Sequence, residues 1–272
     1  MAIANFIPQV WAAALLEAFH VSEIVAPTCN RDYEGEAAKG NQVNITTITT
    51  PTVVDYKAAG RTITAAALAD TTVALQINQE KAFAFKVDDV DRVQAAGSFD
   101  AVTMDAGAAL VEDAESYILA QAVANGTSDN GGAVVLDSSS KAYAAILAMR
   151  TSLTKAKVPS SQRYCVVNSD FAALMLAEAS KLSSVNTAGS DQTLRNGVIG
   201  QFLGFTVLES PLLNAAKPTA IAYHKSAIGY VNQIDKVEAL RDTGSFSDIV
   251  RSLHVYGAKV LRATAVRVYA GA

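Results

Sequence analysis

The side chains best suited to acid–base or metal chemistry are few in this chain, and their spacing does not suit them to it. Histidine, the commonest general base and metal ligand, occurs three times, at His20, His224 and His254. No two are paired at metal spacing, and neither Cys29 nor Cys165 lies near enough in sequence to complete a zinc motif. A hydrolase built on His224 or His254 would need a nucleophile brought beside it by the fold, because no G-x-S-x-G elbow marks one locally. The glycines from Gly126 to Gly132 lack the Lys and Ser/Thr of a phosphate-binding loop, and Gly197, Gly200 and Gly204 do not have dinucleotide spacing. Asp88, Asp89 and Asp91 resemble the start of a calcium loop, but no glycine follows at the sharp turn and no glutamate closes it. Asn44 and Asn125 each open an N-x-T triplet, which matters only in a secreted protein. The expectation is therefore no catalytic residue, no cofactor and no metal, with both cysteines reduced and buried.

Composition narrows the class further. The chain has 272 residues, of which 50% are hydrophobic and only 18% charged, with a mean hydropathy of +0.21. An average soluble domain is roughly 25% charged. The longest unbroken apolar run, residues 142–149, is eight residues long, whereas a membrane span needs about 18 to 20. No Lys or Arg precedes Arg31, so the charged start of a secretory signal is missing and a cytosolic origin is expected. A net charge of −4 and a pI near 5.4 speak against affinity driven by phosphate neutralisation. So much apolar surface must be hidden either in the chain's own cores or against neighbours in an obligate assembly.

The elements that would position any site follow from periodicity. Phe6, Ile7, Val10, Trp11, Leu15, Leu16 and Phe19 recur at three and four after Pro8, the spacing of a short amphipathic helix. Residues 26–40, with Pro27, Asn30, Asp32, Gly35 and Gly40, read as an irregular connector behind it. A greasy helix on a loose tether suits an arm that packs on another body. Residues 43–87 read as one long hairpin, whose return strand places Val73, Leu75, Ile77, Phe83, Phe85 and Val87 all on odd positions. At about 3.3 Å per residue that strand would reach roughly 45 to 50 Å, against a radius of gyration near 18 Å for a compact chain of this length. The hairpin should overhang its own domain, with a polar or small apex at residues 55–69 that includes Tyr56, Lys57 and Arg61.

A helix of about six turns is expected over residues 100–123, with an apolar stripe of Gly107, Leu110, Val111, Ala114, Tyr117 and Ile118. From Arg92 to Lys141 the chain carries seven acids and no base between them. An alternating region follows: helix at 141–155, strand at 163–167, helix at 170–179 behind a cap at Asn168 or Ser169, and short strands at 205–208 and 219–223. Strands at 237–241, 248–261 and 265–269 close the chain in antiparallel sheet. Arg251, Lys259, Arg262 and Arg267 follow the last acid, Asp248, so the acidic helix and these strands are expected in one domain.

That order of elements resembles the major capsid protein of tailed double-stranded DNA bacteriophages, the Hong Kong 97-type fold. The wording agrees locally: FIPQVWAAALLEAF at residues 6–19, GQFLGFTVLESPLL at 200–213, and AIAYHKSAIGYV with KVEALRDTGSFSDIVRSLHVYGAKVLRATAVRVY through the closing strands are similar to such coat proteins. The resemblance covers nearly the whole chain. It implies an α+β fold with an N-arm at 1–42, an extended E-loop hairpin at 43–90, a P domain with a long spine helix at 91–134, an α/β A domain at 135–234, and return strands of the P domain at 235–272.

The implied function is a structural, non-enzymatic subunit that self-assembles through hexamers and pentamers into the icosahedral head around a phage genome. Such a protein belongs to the virion and is assembled in the bacterial host cytoplasm. Subunit contacts are expected from Trp11, Leu15 and Phe19 on the arm, from Tyr56, Lys57 and Arg61 on the E-loop, and from Asp88 at its base. Implied partners are copies of itself, a separate scaffolding protein, a portal protein, a decoration protein and packaged DNA bound without sequence specificity, with no membrane. The scaffold is expected to be separate because the arm starts at Met1 with nothing before it to cut. The founding member cross-links an E-loop lysine to an asparagine near the chain end. Lys57 suits the first role, but the last asparagine here is Asn232, so non-covalent contacts or an added cement protein are expected instead. An encapsulin-type compartment shell is the alternative within the same fold, and a cytosolic hydrolase the alternative outside it.

Overall fold

A computed structural model describes residues 23–34, 40–48, 51–65, 67, 70–89, 100–129, 135–177, 200–213 and 217–270. Trp11, Leu15, Phe19, His20 and Asp91 lie outside the described residues.

The centre of the larger layer is a strand pair with apolar side chains on both faces. Strand β5 (Arg163–Val167) runs antiparallel to β8 (Thr219–His224) and parallel to β7 (Phe205–Glu209). Beyond β7 lies β6 (Gln201–Phe202), and beyond β8 lie β11 (Val266–Ala270) and β4 (Thr127–Ser128), giving the order β4-β11-β8-β5-β7-β6. Alternation divides each strand between two cores. Cys165, Val167, Ala220 and Ala222 face helices α2 (Ser139–Lys155) and α3 (Ser169–Leu176). Val166, Ile221 and Tyr223 face the long helix α1 (Asp100–Asn125) and the segment 25–29. The Asn168 side chain starts α3 by accepting the Phe171 N–H at 3.0 Å, the cap expected from the sequence.

Helix α1 is 26 residues long, roughly 39 Å. Its buried face is Ala114, Ile118, Leu119 and Ala122, one turn later than the expected stripe, whose Gly107, Leu110 and Val111 are only half-buried. The same core takes in Tyr256, Ala258, Val260, Val266 and Val268, so the acidic helix and the closing strands share one domain, as their charges suggested. Tyr256 Oη donates to Asp113 Oδ2 at 2.6 Å, and Lys81 Nζ lies 3.5 Å from Asp113 Oδ1.

The closing strands are longer than periodicity indicated. Strands β9 (Ile228–Arg241) and β10 (Ser247–Val260) pair over nearly their full length with one bulge at Val255/Tyr256, and β3 (Gln79–Asp88) adds to the other side of β10. The start of β9 escaped the period-two pattern because both its faces are covered: Tyr230 joins the α1 core and Val231 the core beneath the hairpin.

The hairpin itself differs from the sequence expectation. Strand β1 (Gln42–Ile48) pairs with β2 (Asp70–Gln76), but the run of odd-position apolar residues is not one strand. It breaks at Ile77 and Asn78, and β3 restarts at Gln79 in a different sheet with β10 as its partner. Two intervening residues leave the phase of a period-two pattern unchanged, so the sequence carries no mark of the break. The two pieces reach about 23 Å and 33 Å in place of one longer strand. At the crossing, Leu75, Ile77 and Val43 pack on Val231 and Val255. Ile77 N–H donates to Asn41 O at 2.8 Å, and Lys259 Nζ donates to Ala74 O at 2.8 Å.

Candidate subunit-contact site

Beyond the paired part of the hairpin, residues 51–65 are exposed without exception. Their shape is set locally. Asp55 Oδ1 accepts the N–H of Lys57 at 2.9 Å and of Ala58 at 3.1 Å, and one helical turn forms behind it, with Ala59 N–H on Asp55 O and Arg61 N–H on Tyr56 O. Gly60 and Arg61 then take φ of 65° and 62°, the left-handed conformation that reverses the chain. This turn brings Tyr56, Lys57 and Arg61 together, while Asp88 stands at the end of β3 opposite Ser247, in another sheet. Of its neighbours, Asp89 is held within the chain by Arg241, whose Nη1 donates to Oδ1 at 2.8 Å and whose Nη2 donates to Oδ2. That carboxylate is engaged by its own subunit.

Hydrophobic exposure at the tip is high. Val53 is 95% exposed, Ile63 67% and Tyr56 51%. Phe246, in the turn between β9 and β10, is 80% exposed, and Val237 and Leu240 on β9 are also uncovered. Sequence reasoning passed over these residues. An aromatic between Ser245 and Ser247 in a turn was the available signal, since large apolar side chains in turns are informative where scattered ones are not. The Phe246 turn is held in place by Asp242, whose carboxylate accepts from Gly244 N–H, Ser245 Oγ and Lys86 Nζ, the last at 2.6 Å.

The groups with potential for chemistry are used structurally. His224 Nδ1 accepts the Ser226 N–H at 3.2 Å and lies 2.9 Å from Ser226 Oγ, which is a turn cap between residues two apart. Burial, then Arg163 and Arg262, push the His224 pKa down. His254 is buried on β10 with its ring 4.8 Å from that of Tyr256. Both cysteines are buried free thiols, pushed by burial to about 12. Among the described residues no group of three or more His, Cys, Asp or Glu is placed to hold a metal, and no helix is long and apolar enough to cross a membrane. A cavity of about 230 Å³ lies between α1 and the three-stranded sheet, lined by Glu115, Asn232, His254, Tyr230 and Phe83 among others.

Glu115 ties the chain start to the helix. It is buried on α1, and its Oε2 accepts the Ile24 N–H at 2.9 Å. Burial raises its pKa above the ordinary 4.5, against the lowering effect of the backbone N–H groups of Ile24 and Val25. Above 4.5 the folded chain therefore keeps a proton that the unfolded chain has released, and stability falls as pH rises through that window. Glu115→Gln keeps an acceptor for Ile24 and removes the titration. Its thermal midpoint should gain on wild type as pH rises from 4.5 to 7; parallel pH profiles of the two proteins would show that Glu115 is not the group responsible.

A six-stranded sheet between helices, a long helix bridging it to a second sheet, and a hairpin with an exposed tip together define the Hong Kong 97-type capsid fold. The sequence model of the phage capsid protein family matches residues 70–269. The chain belongs to that family. A structure from Mycobacterium phage Che8 is 46% identical over 98% of both chains, with a TM-score of 0.90. The capsid structure of the cyanophage P-SCSP1u, 15% identical, covers 100% of this chain and 95% of its own with a TM-score of 0.80. The asymmetric unit of the bacteriophage PhiM1 mature capsid, 14% identical, covers 97% and 91% with a TM-score of 0.75. Among curated proteins no match is found. The protein is a structural major capsid protein of the virion, assembling into an oligomeric icosahedral shell.

Proposed function

We propose that this capsid subunit closes its shell through the hairpin tip, which lies across an adjacent subunit, with Trp11, Leu15 and Phe19 of the N-terminal arm making a second contact. The observation that carries this reading is the tip's exposure: Val53, Val54, Tyr56 and Ile63 all stand in solvent around Lys57 and Arg61. Apolar side chains clustered on an overhanging element mark an interaction surface. Lys57 and Arg61 have no ion pair among the described residues and are the cations that would meet a neighbour's carboxylate, with Asp88 a contact at the hairpin's base. The bonds are non-covalent on this reading, since the last asparagine is Asn232 on β9 and strands β10 and β11 carry none. Copies of the chain gather as hexamers and pentamers, a scaffolding and a portal protein serve assembly, and the subunit performs no catalysis. The domain boundaries follow the same reading: arm to 42, hairpin to 90, P domain to 134 and from 235 onward, and A domain between. Negative-stain microscopy of the purified protein tests it, with closed particles expected. Only monomers, under conditions where the chain is folded, would overturn it.

A further inference from the structure

Three loops at one end of the six-stranded sheet carry cations and no acid. They come from stretches 138–169, 210–234 and 249–272, none of which contains Asp or Glu. Backbone hydrogen bonds join them: Lys225 N–H donates to Gln162 O at 3.1 Å, and Arg262 N–H donates to Ala227 O at 3.2 Å. Lys155, Lys157 and Arg262 are exposed and Lys225 half-buried, and none has an ion pair among the described residues. Buried Arg163 braces the first loop by donating to Pro159 O at 2.7 Å, Val158 O at 2.6 Å and Thr154 Oγ1 at 3.3 Å. Lys157 and Gln162 both hold left-handed backbone, with φ of 58° and 52°, so this loop's shape is imposed and not relaxed.

We infer that this end of the sheet is a contact surface for the phosphate backbone of double-stranded DNA. The inference rests on the capsid reading and deepens it by naming the residues that would meet the genome. A contact with a neighbouring subunit's carboxylates is the competing use of such charge. Protein interfaces have apolar cores depleted of charge, and none of the large exposed apolar side chains falls on these loops. Phosphate-binding surfaces are polar and strongly positive, which this one is. The chain's net charge of −4 hides the patch because the acids are gathered elsewhere, seven of them between Arg92 and Lys141.

The test compares full-length unassembled subunits of wild type with the triple variant Lys157→Gln, Lys225→Gln, Arg262→Gln, using a duplex of arbitrary sequence and fluorescence anisotropy between 20 and 200 mM NaCl. Neutralising three phosphates gives a slope of log affinity against log salt of about −2.7. Wild type should show a slope of that order, and the triple variant should bind at least tenfold more weakly at low salt. A control of equal charge, Arg31→Gln, Lys141→Gln, Arg251→Gln, removes cations already paired with Glu34, Asp137 and Glu238 and should bind as wild type does. Equal losses in both variants, or no loss in the first, would overturn the inference. So would a triple variant that keeps its DNA affinity and fails to form particles, which would assign the loops to a subunit interface. Particle formation by wild type is scored separately, so failure here leaves the shell reading intact.

Discussion

Removal of residues 56–69 leaves a folded, soluble subunit that no longer closes shells. The described residues of the excised stretch are all exposed and belong to neither main core, and the turn is held by its own bonds from Asp55 and Tyr56. The β1–β2 register runs from Gln42↔Gln76 to Ile48↔Asp70, so it survives with a loop of residues 49–55 joining the strands. The anchoring contacts at Leu75, Ile77 and Lys259 are untouched. Thermal unfolding should therefore stay within about 0.5 kcal/mol of wild type, as for surface changes away from packed features. Assembly should fall to background by electron microscopy and sedimentation, because Val53 and Val54 lose the turn that presents them and Tyr56, Lys57, Arg61 and Ile63 are gone. Particles of normal size and yield from the deletion would remove the hairpin from the assembly interface.

How much of this was legible beforehand depended on whether a side chain's pattern reports its own strand or its partner's. Strands β5 and β8 were found because RYCVV and TAIAYH are short apolar runs between turn signals. Helix α1 was found from its length and lack of breakers, but its buried face was placed a turn early because Gly107 and Leu110 fit the period as well as Leu119 and Ala122 do. The continuity of 73–87 was misjudged since pairing partners are non-local: nothing in Asn78 says that β2 serves β1 and β3 serves β10. Within the contact site, Tyr56, Lys57 and Arg61 could be read from an apex of turn-forming residues, whereas Phe246 carried only the weaker signal of an aromatic between two serines, and the fold shows that the turn leaves it uncovered. The cationic end escaped composition altogether, because its loops are distant in sequence and meet only through backbone bonds such as Lys225 to Gln162.

The same non-local crossing supplies the substitution with the largest expected cost to folding. Where β2 ends it passes directly over β10 at Gly257, and a Cβ there would lie 2.3 Å from Gln76 O and 3.0 Å from Ile77 Cα. Both obstacles are backbone, so no rotamer change can relieve them, and Gly257→Val must either bend β10 or lift the hairpin base. Lifting it separates Leu75 and Ile77 from Val231 and Val255 and breaks the Lys259 bond to Ala74 O. Overpacking of this kind costs about 1 to 3 kcal/mol, and more where the backbone is the obstacle. In a chain of this size that corresponds to a fall in thermal midpoint of roughly 2 to 6 °C. Early proteolytic cleavage near residues 40–48 should accompany it, because the strand is no longer held down. Gly244→Ala is the matched control: its nearest contact is Asp242 Oδ1 at 3.9 Å in an exposed turn, and it should melt with wild type. Because Gly257 lies under the hairpin's base and not at its tip, its variant should lose particles through misdirection of an intact tip, with folding and assembly weakened together. A Gly257→Val protein with wild-type melting and normal particles would mean that the hairpin is not seated on β10 as described.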